Sequence, residues 1–117
     1  MLIRKEFAFD AAHNLVHYRG KCEALHGHRY RLAVEVEGEP DADGMVMDFG
    51  DVADVVRRRV VSRLDHAYIN EIIASPTAEN IAAWTWREVE PELPGLSRVE
   101  VWETPESCAI LRRGDRR

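Results

Sequence analysis

The chain is poor in several features that would assign its class at once. No apolar run approaches the roughly 20 residues that a membrane-spanning helix needs. The amino terminus, Met1-Leu2-Ile3-Arg4-Lys5-Glu6, alternates apolar and charged residues and offers no continuous apolar signal-peptide core. A cytoplasmic location with no membrane partner is the expectation. Cysteine is scarce: Cys22 and Cys108 are too few for a disulfide framework, so each thiol is expected to be metal-linked, catalytic or simply buried. Positive charge is not in excess. With 16 Lys and Arg against 21 Asp and Glu, the net charge of −5 speaks against nucleic acid as partner and for a small-molecule ligand. No internal repeat, low-complexity tract or linker interrupts the 117 residues, which read as one domain over 1–117 with a solvated tail at about 112–117. A chain this short buries only about two-thirds of the surface its unfolded form exposes, so association with further copies would help it.

Against that plain background one stretch is chemically dense. Cys22-Glu23-Ala24-Leu25-His26-Gly27-His28 places a thiol, a carboxylate and two imidazoles in seven residues at the opening of a strand-like run. Side chains on a strand alternate between faces, so His26 and His28 share a face with Tyr30, Leu32, Val34 and Val36, while Arg29, Arg31, Glu35 and Glu37 take the other. Two imidazoles one residue apart on an apolar face form a chelating geometry. A strand over 2–13 brings a third, since Phe7, Phe9, Ala11 and His13 share one parity. The intervening 14–21 loses the alternation and reads as a loop, and His17 in it has no partner at ligand spacing.

The second strand, about 28–38, ends in the turn formers Gly38-Glu39-Pro40-Asp41-Ala42-Asp43-Gly44, where the chain folds back. Val52, Val55, Val56, Val60 and Leu64 recur at helical spacing and predict an amphipathic helix over 51–63, its arginines Arg57, Arg58, Arg59 and Arg63 forming the solvated face. Leu64-Asp65-His66 ends it. Thr77 is placed to cap a second helix over 78–90, with Glu79 in the first turn and Pro91 and Pro94-Gly95 as the stop. Trp84 and Trp86 fit core or subunit interface. Two last strands follow at about 96–103 and 108–113. In the first of them Glu103 shares the parity of Val99 and Val101, with Arg98, Glu100 and Trp102 opposite. A carboxylate on an apolar face needs a partner. It is either an ion pair with an arginine or an anchor for a ligand with adjacent N–H donors. The order β-β-α-α-β-β, with both helices in the middle, describes an α+β fold: an antiparallel sheet with helices on one side.

Three histidines, His13, His26 and His28, bind zinc through nitrogen and leave the fourth tetrahedral position open, which is the pattern of a catalytic rather than a structural site. Cys22 is either the fourth ligand or, held off the metal with a lowered pKa, a general base or nucleophile. Asp65-His66 supplies the pair such a thiol needs, an imidazole to exchange the proton and a carboxylate to set its tautomer, although adjacent side chains do not easily bond each other. Gly20 and His26-x-His28 match the opening of a cupin motif, but Leu32 and Ala33 stand where that motif requires Glu, and the reading is rejected.

Taken together, Phe9-Asp10-Ala11-Ala12-His13, Cys22-x-x-x-His26-Gly27-His28, Met47-Asp48-Phe49, Leu64-Asp65-His66, Pro76-Thr77-x-Glu79-Asn80 and Glu103-Thr104 resemble the family of the 6-pyruvoyl-tetrahydropterin and 6-carboxytetrahydropterin synthases, in the family's order and over nearly the whole chain. The resemblance implies a tunnelling fold (T-fold): a four-stranded antiparallel sheet with two helices on one face, assembled into a homo-oligomer, a hexamer or tetramer, with active sites between subunits. It implies zinc on His13, His26 and His28, catalysis by Cys22 with Asp65 and His66 donated by a neighbouring subunit, and substrate contacts from Glu103, Thr77 and Glu23. The implied substrate is 7,8-dihydroneopterin triphosphate. A cysteine separated by three residues from His-Gly-His resembles the branch that makes 6-carboxytetrahydropterin and acetaldehyde for queuosine. Glu23, separated by two residues from that motif, resembles a folate branch that forms 6-hydroxymethyl-dihydropterin, so an enzyme of both kinds, a pyruvoyl-forming enzyme and a non-catalytic zinc module stand as alternatives.

Overall fold

A computed structural model describes residues 1–15 and 24–115. Two twelve-residue strands, β1 (Leu2–His13) and β2 (His26–Glu37), lie antiparallel in unbroken register from Leu2 opposite Glu37 to His13 opposite His26. β3 (Leu96–Thr104) and β4 (Ser107–Arg112) extend the sheet in the order β1-β2-β3-β4, every neighbour antiparallel. Strong alternation produces this: Phe7, Phe9, Tyr30, Leu32, Val34, Val99 and Val101 are all buried on one face. Arg112 to Asp115 form a turn, with the Arg112 N–H donating to the Asp115 carboxylate at 2.8 Å and the Arg113 N–H to the Ser97 carbonyl at 3.0 Å.

Helix α1 (Phe49–Val56) starts two residues before its expected position, because the Asp48 side chain accepts from the Gly50 N–H at 2.7 Å and caps it. It runs on through a π-helical stretch, Arg57–Val61, and a last α-turn, Ser62–Leu64. Helix α2 (Ala78–Val89) is capped by Thr77, whose hydroxyl accepts from the Asn80 N–H at 3.1 Å, and gives way to a 3₁₀ turn at Glu90–Glu92. Val52, Val56, Val60 and Leu64 from the first helix and Ile81, Ala82, Trp86 and Val89 from the second bury against the sheet in one apolar core. The arginine face of the first helix is solvated as expected but not idle. Arg58 and Arg59 both reach Glu92, at 2.7 and 2.6 Å, and Arg63 pairs with Glu88, so its charges tie the two helices together. After α2, Gly95 is required by close approach: a Cβ there would lie 2.6 Å from the Glu37 carbonyl oxygen, while its own carbonyl accepts from the Glu37 N–H at 2.8 Å.

The sheet face away from the helices carries charge. Glu100, only 4% exposed, takes both guanidinium arms of Arg4 at 2.8 and 3.0 Å, Arg98 at 2.8 Å and the Trp102 indole N–H at 3.2 Å. Parity alone marks Glu103 as the buried carboxylate in need of a partner, an arginine or a ligand. The carboxylate buried among arginines is instead Glu100, because long side chains from three strands close over the outer face.

Two predictions follow from burial. The Arg4 guanidinium, with help from Trp102 and Arg98, holds the Glu100 carboxyl at about 2 against an ordinary 4.5. A depressed carboxyl stabilises the fold above its unfolded pKa and loses that contribution as pH falls through its folded one. Glu100→Gln is therefore expected to lose on the order of 2–3 kcal/mol at neutral pH and to show a flatter stability profile than the parent between pH 4.5 and 2, as read by urea unfolding. The Thr85 hydroxyl, within α2, is fully buried and has no hydrogen-bond partner among the described residues. Thr85→Val is expected to gain about 1 kcal/mol in the same measurement.

Candidate active site

The β1–β2 register sets His13 opposite His26 and Ala11 opposite His28, all three imidazoles facing the helices. Their ring centroids are 4.6, 5.0 and 4.8 Å apart, and one nitrogen from each lies within 4.8 Å of the others. His13 is buried and the other two half-buried. Backbone carbonyls orient two of them. His13 Nδ1 is 2.7 Å from the carbonyl oxygen of Pro76, just ahead of α2, and His26 Nδ1 is 2.9 Å from that of Ala24. A ring that donates from Nδ1 presents its Nε2 lone pair, the usual outer-shell arrangement for a metal-binding histidine. The two Nε2 atoms so presented face each other at 3.0 Å. Two lone pairs at that separation repel unless a cation lies between them, and tetrahedral zinc with nitrogen ligands sets its ligand atoms about 3.3 Å apart. The donor set therefore fits a metal ion.

The strand end carrying His13 is pinned by a network that periodicity does not reveal. Asn14 and Asn70 exchange two hydrogen bonds, at 3.0 and 2.8 Å, and the Tyr68 hydroxyl donates to the Asn14 side chain at 2.5 Å. Pro76 and Ala24 act through main-chain carbonyls, which have no sequence signal at all. Tyr30, also on β2, lies edge-on to His13 and His28 with centroids at 6.0 and 5.4 Å.

Asp65 and His66 do bond each other, contrary to the expectation for adjacent side chains. His66 adopts a left-handed backbone, φ 60°, which swings its ring back so that Nδ1 comes within 3.1 Å of the Asp65 carboxylate. The dyad is fastened to the outer edge of β1: the Asp10 N–H donates to Asp65 Oδ1 at 3.0 Å, and the His66 N–H to the Asp10 carbonyl at 2.6 Å. The first of these bonds, and then the neighbouring imidazole, keep the Asp65 carboxyl below the usual carboxylate range. His66 is 81% exposed and stands outside the three-histidine cluster, bordering with His28 an open groove of about 560 Å³.

Glu103 is half-buried near the end of β3, between two grooves of about 610 Å³ each. One runs between β4 and the first turns of α2, past Glu79 and Asn80; the other crosses the opening of β2 past His28, Arg31 and Trp102. Among the described residues no hydrogen bond or ion pair holds its carboxylate. Thr77 spends its hydroxyl oxygen on the helix cap. Burial, and then the Glu100 charge, push the Cys108 thiol up, which disfavours its thiolate. Cys22, Glu23 and His17 lie outside the described residues.

The family model of 6-pyruvoyl tetrahydropterin synthase matches residues 2–114. A 6-carboxy-5,6,7,8-tetrahydropterin synthase of Synechocystis is 44% identical over 116 residues, covering 92% of this chain and 90% of that one. A dihydroneopterin monophosphate aldolase of Pyrococcus furiosus is also 44% identical, over 99 residues, 82% and 83% of the two chains. In three dimensions the 6-pyruvoyl tetrahydropterin synthase of Caenorhabditis elegans superposes with a TM-score of 0.85 at 24% identity, over 96% of this chain and 94% of that one, a likeness of fold. With this sheet, this helix order and a match of that length, the chain belongs to the 6-pyruvoyl tetrahydropterin synthase family.

Proposed function

We propose that this chain is a zinc-dependent 6-carboxy-5,6,7,8-tetrahydropterin synthase, converting 7,8-dihydroneopterin triphosphate to 6-carboxytetrahydropterin, acetaldehyde and triphosphate on the route to queuosine. The observation that carries the reading is the convergence of His13, His26 and His28 with oriented nitrogens in a chain 44% identical to a protein of that name. When bound, zinc supplies Lewis acidity that makes a coordinated hydroxyl a stronger acid. The chain's own residues do the rest. Pro76 and Ala24 hold two of the imidazoles in the ligating tautomer. Glu103, unspent on any arginine among the described residues, offers two oxygens to the adjacent N–H donors of a pterin. Cys22 acts as general base. Asp65 orients His66 through Nδ1 and leaves Nε2 free to carry a proton, and its exposure at the β1 edge suits delivery to the site of a neighbouring subunit in a hexamer or tetramer.

A second reading has one observation behind it. The likeness to a dihydroneopterin monophosphate aldolase, with Glu23 next to Cys22, favours cleavage of the side chain to a hydroxymethyl pterin by the same site.

Zinc-loaded protein incubated with 7,8-dihydroneopterin triphosphate is expected to yield 6-carboxytetrahydropterin and acetaldehyde by mass spectrometry. A hydroxymethyl product would establish the second reading, and no turnover with zinc bound would leave a non-catalytic module. Cys22→Ala is expected to keep its zinc and lose roughly 10²- to 10⁴-fold in turnover, the range for a general base; loss of the metal instead would make the thiol a ligand. Glu103→Ala is expected to weaken pterin binding by roughly 100-fold, with zinc content and unfolding midpoint unchanged.

A further inference from the structure

We infer that Asn70 is a positioning residue for His13: its carboxamide clamps the backbone of Asn14 and so keeps the last rung of the β1–β2 ladder closed, with the His13 imidazole held where it can bind a metal ion. This inference rests on the metal-site reading above and adds to it a residue outside the three histidines.

Strand β1 has β2 on one side, and its other edge is covered toward the His13 end by the segment 65–70. Three β1 positions are bonded there. Asp10 is held by Asp65 and His66, and the Ala12 N–H donates to the Ala67 carbonyl at 3.0 Å, with Ala12 and Tyr68 forming a parallel bridge. At Asn14 a side chain takes over from the backbone. The Asn14 N–H donates to Asn70 Oδ1 at 3.0 Å, and Asn70 Nδ2 donates to the Asn14 carbonyl at 2.8 Å. A carboxamide carries the same kinds of donor and acceptor as a peptide unit, so it stands in for one rung of a strand.

His13 opposite His26 is the last rung of the β1–β2 ladder. Terminal rungs open most readily, and this one carries two of the three clustered imidazoles. The Asn70 clamp lies one residue beyond it, so the strand end cannot peel away without breaking both amide bonds. The clamp is itself anchored in the core. Ile69, the preceding residue, is completely buried, and its carbonyl accepts from the N–H groups of Ile72 and Ile73, each at 2.8 Å, in a 3₁₀ turn over Ile69–Glu71. Burial of Ile69 is thus transmitted through the Asn70 amide to the backbone beside His13. An open rung would take His13 Nδ1 off the Pro76 carbonyl and Nε2 away from that of His26, contacts of 2.7 and 3.0 Å in the closed form. A ligand set formed for only part of the time binds its ion more weakly by that fraction.

The test uses the full chain stripped of metal, titrated with zinc against a competing chelator and, separately, loaded with cobalt(II), whose visible absorption reports ligand number and geometry. Asn70→Ala should bind zinc roughly 10-fold more weakly than the parent, the lower end of the range for groups that hold a metal ligand in place. Its cobalt(II) bands should weaken and shift. Because this variant also loses fold stability, Glu100→Gln serves as the comparison: it removes a structural carboxylate from the other face of the sheet and should keep the parent's zinc affinity and cobalt(II) spectrum. Should Asn70→Ala fail to fold, Asn70→Asp takes its place with the same expectation, since it keeps the acceptor for the Asn14 N–H and lacks the donor to the Asn14 carbonyl. Parental zinc affinity and an unchanged spectrum in the Asn70 variant overturn the inference. An equal loss of affinity in Glu100→Gln overturns it too, by tracing the effect to stability alone. If the parent itself does not bind zinc, the metal-site reading fails, and the role of Asn70 falls with it.

Discussion

The site depends on one constraint, the register of β1 against β2. Side chains alternate along both strands, so a slip of a single residue would turn His26 and His28 away from His13 and would expose Tyr30, Leu32 and Val34 at the same time. The apolar face of the sheet thereby enforces the geometry of the histidines. Core and site are not separate achievements here. Burial of Phe7, Phe9 and Leu32 against the two helices drives the pairing, and the three imidazoles are the polar continuation of that buried face at its open end.

Helices reinforce this from above. The α2 cap is also the roof of the site: Thr77 satisfies the Asn80 N–H, and the preceding residue, Pro76, turns its carbonyl onto His13. A segment that reads as punctuation before a helix thus also orients one of the three clustered imidazoles. Likewise the end of α1 does more than stop. The left-handed turn at His66 brings the imidazole onto its own neighbour Asp65 and threads both along the free edge of β1, with Ala67 and Tyr68 completing the attachment.

The two faces of the sheet use carboxylates in opposite ways. On the outer face Glu100 is surrounded by Arg4, Arg98 and Trp102, its charge fully answered, and it serves structure. Near the end of β3, Glu103 has no such company among the described residues and opens onto two grooves. The contrast explains why one carboxylate is a structural ion pair and the other is available to a ligand, although only three residues separate them.

Much of this was legible in the chain. Alternation placed β1 at its observed bounds and assigned His13, His26 and His28 to one face, and helical spacing with the Thr77 cap located both helices within two or three residues at each end. Those features depend on period and on local capping, which a linear sequence carries in full. What required the tertiary structure was everything decided by atoms distant in sequence. The burial of Glu100 among arginines, the Asp65–His66 bond made by an unusual backbone angle, and the main-chain carbonyls behind two histidines all arise where separate elements meet. Parity states which side of a strand a residue occupies; only the packing of the other elements states what stands there to receive it.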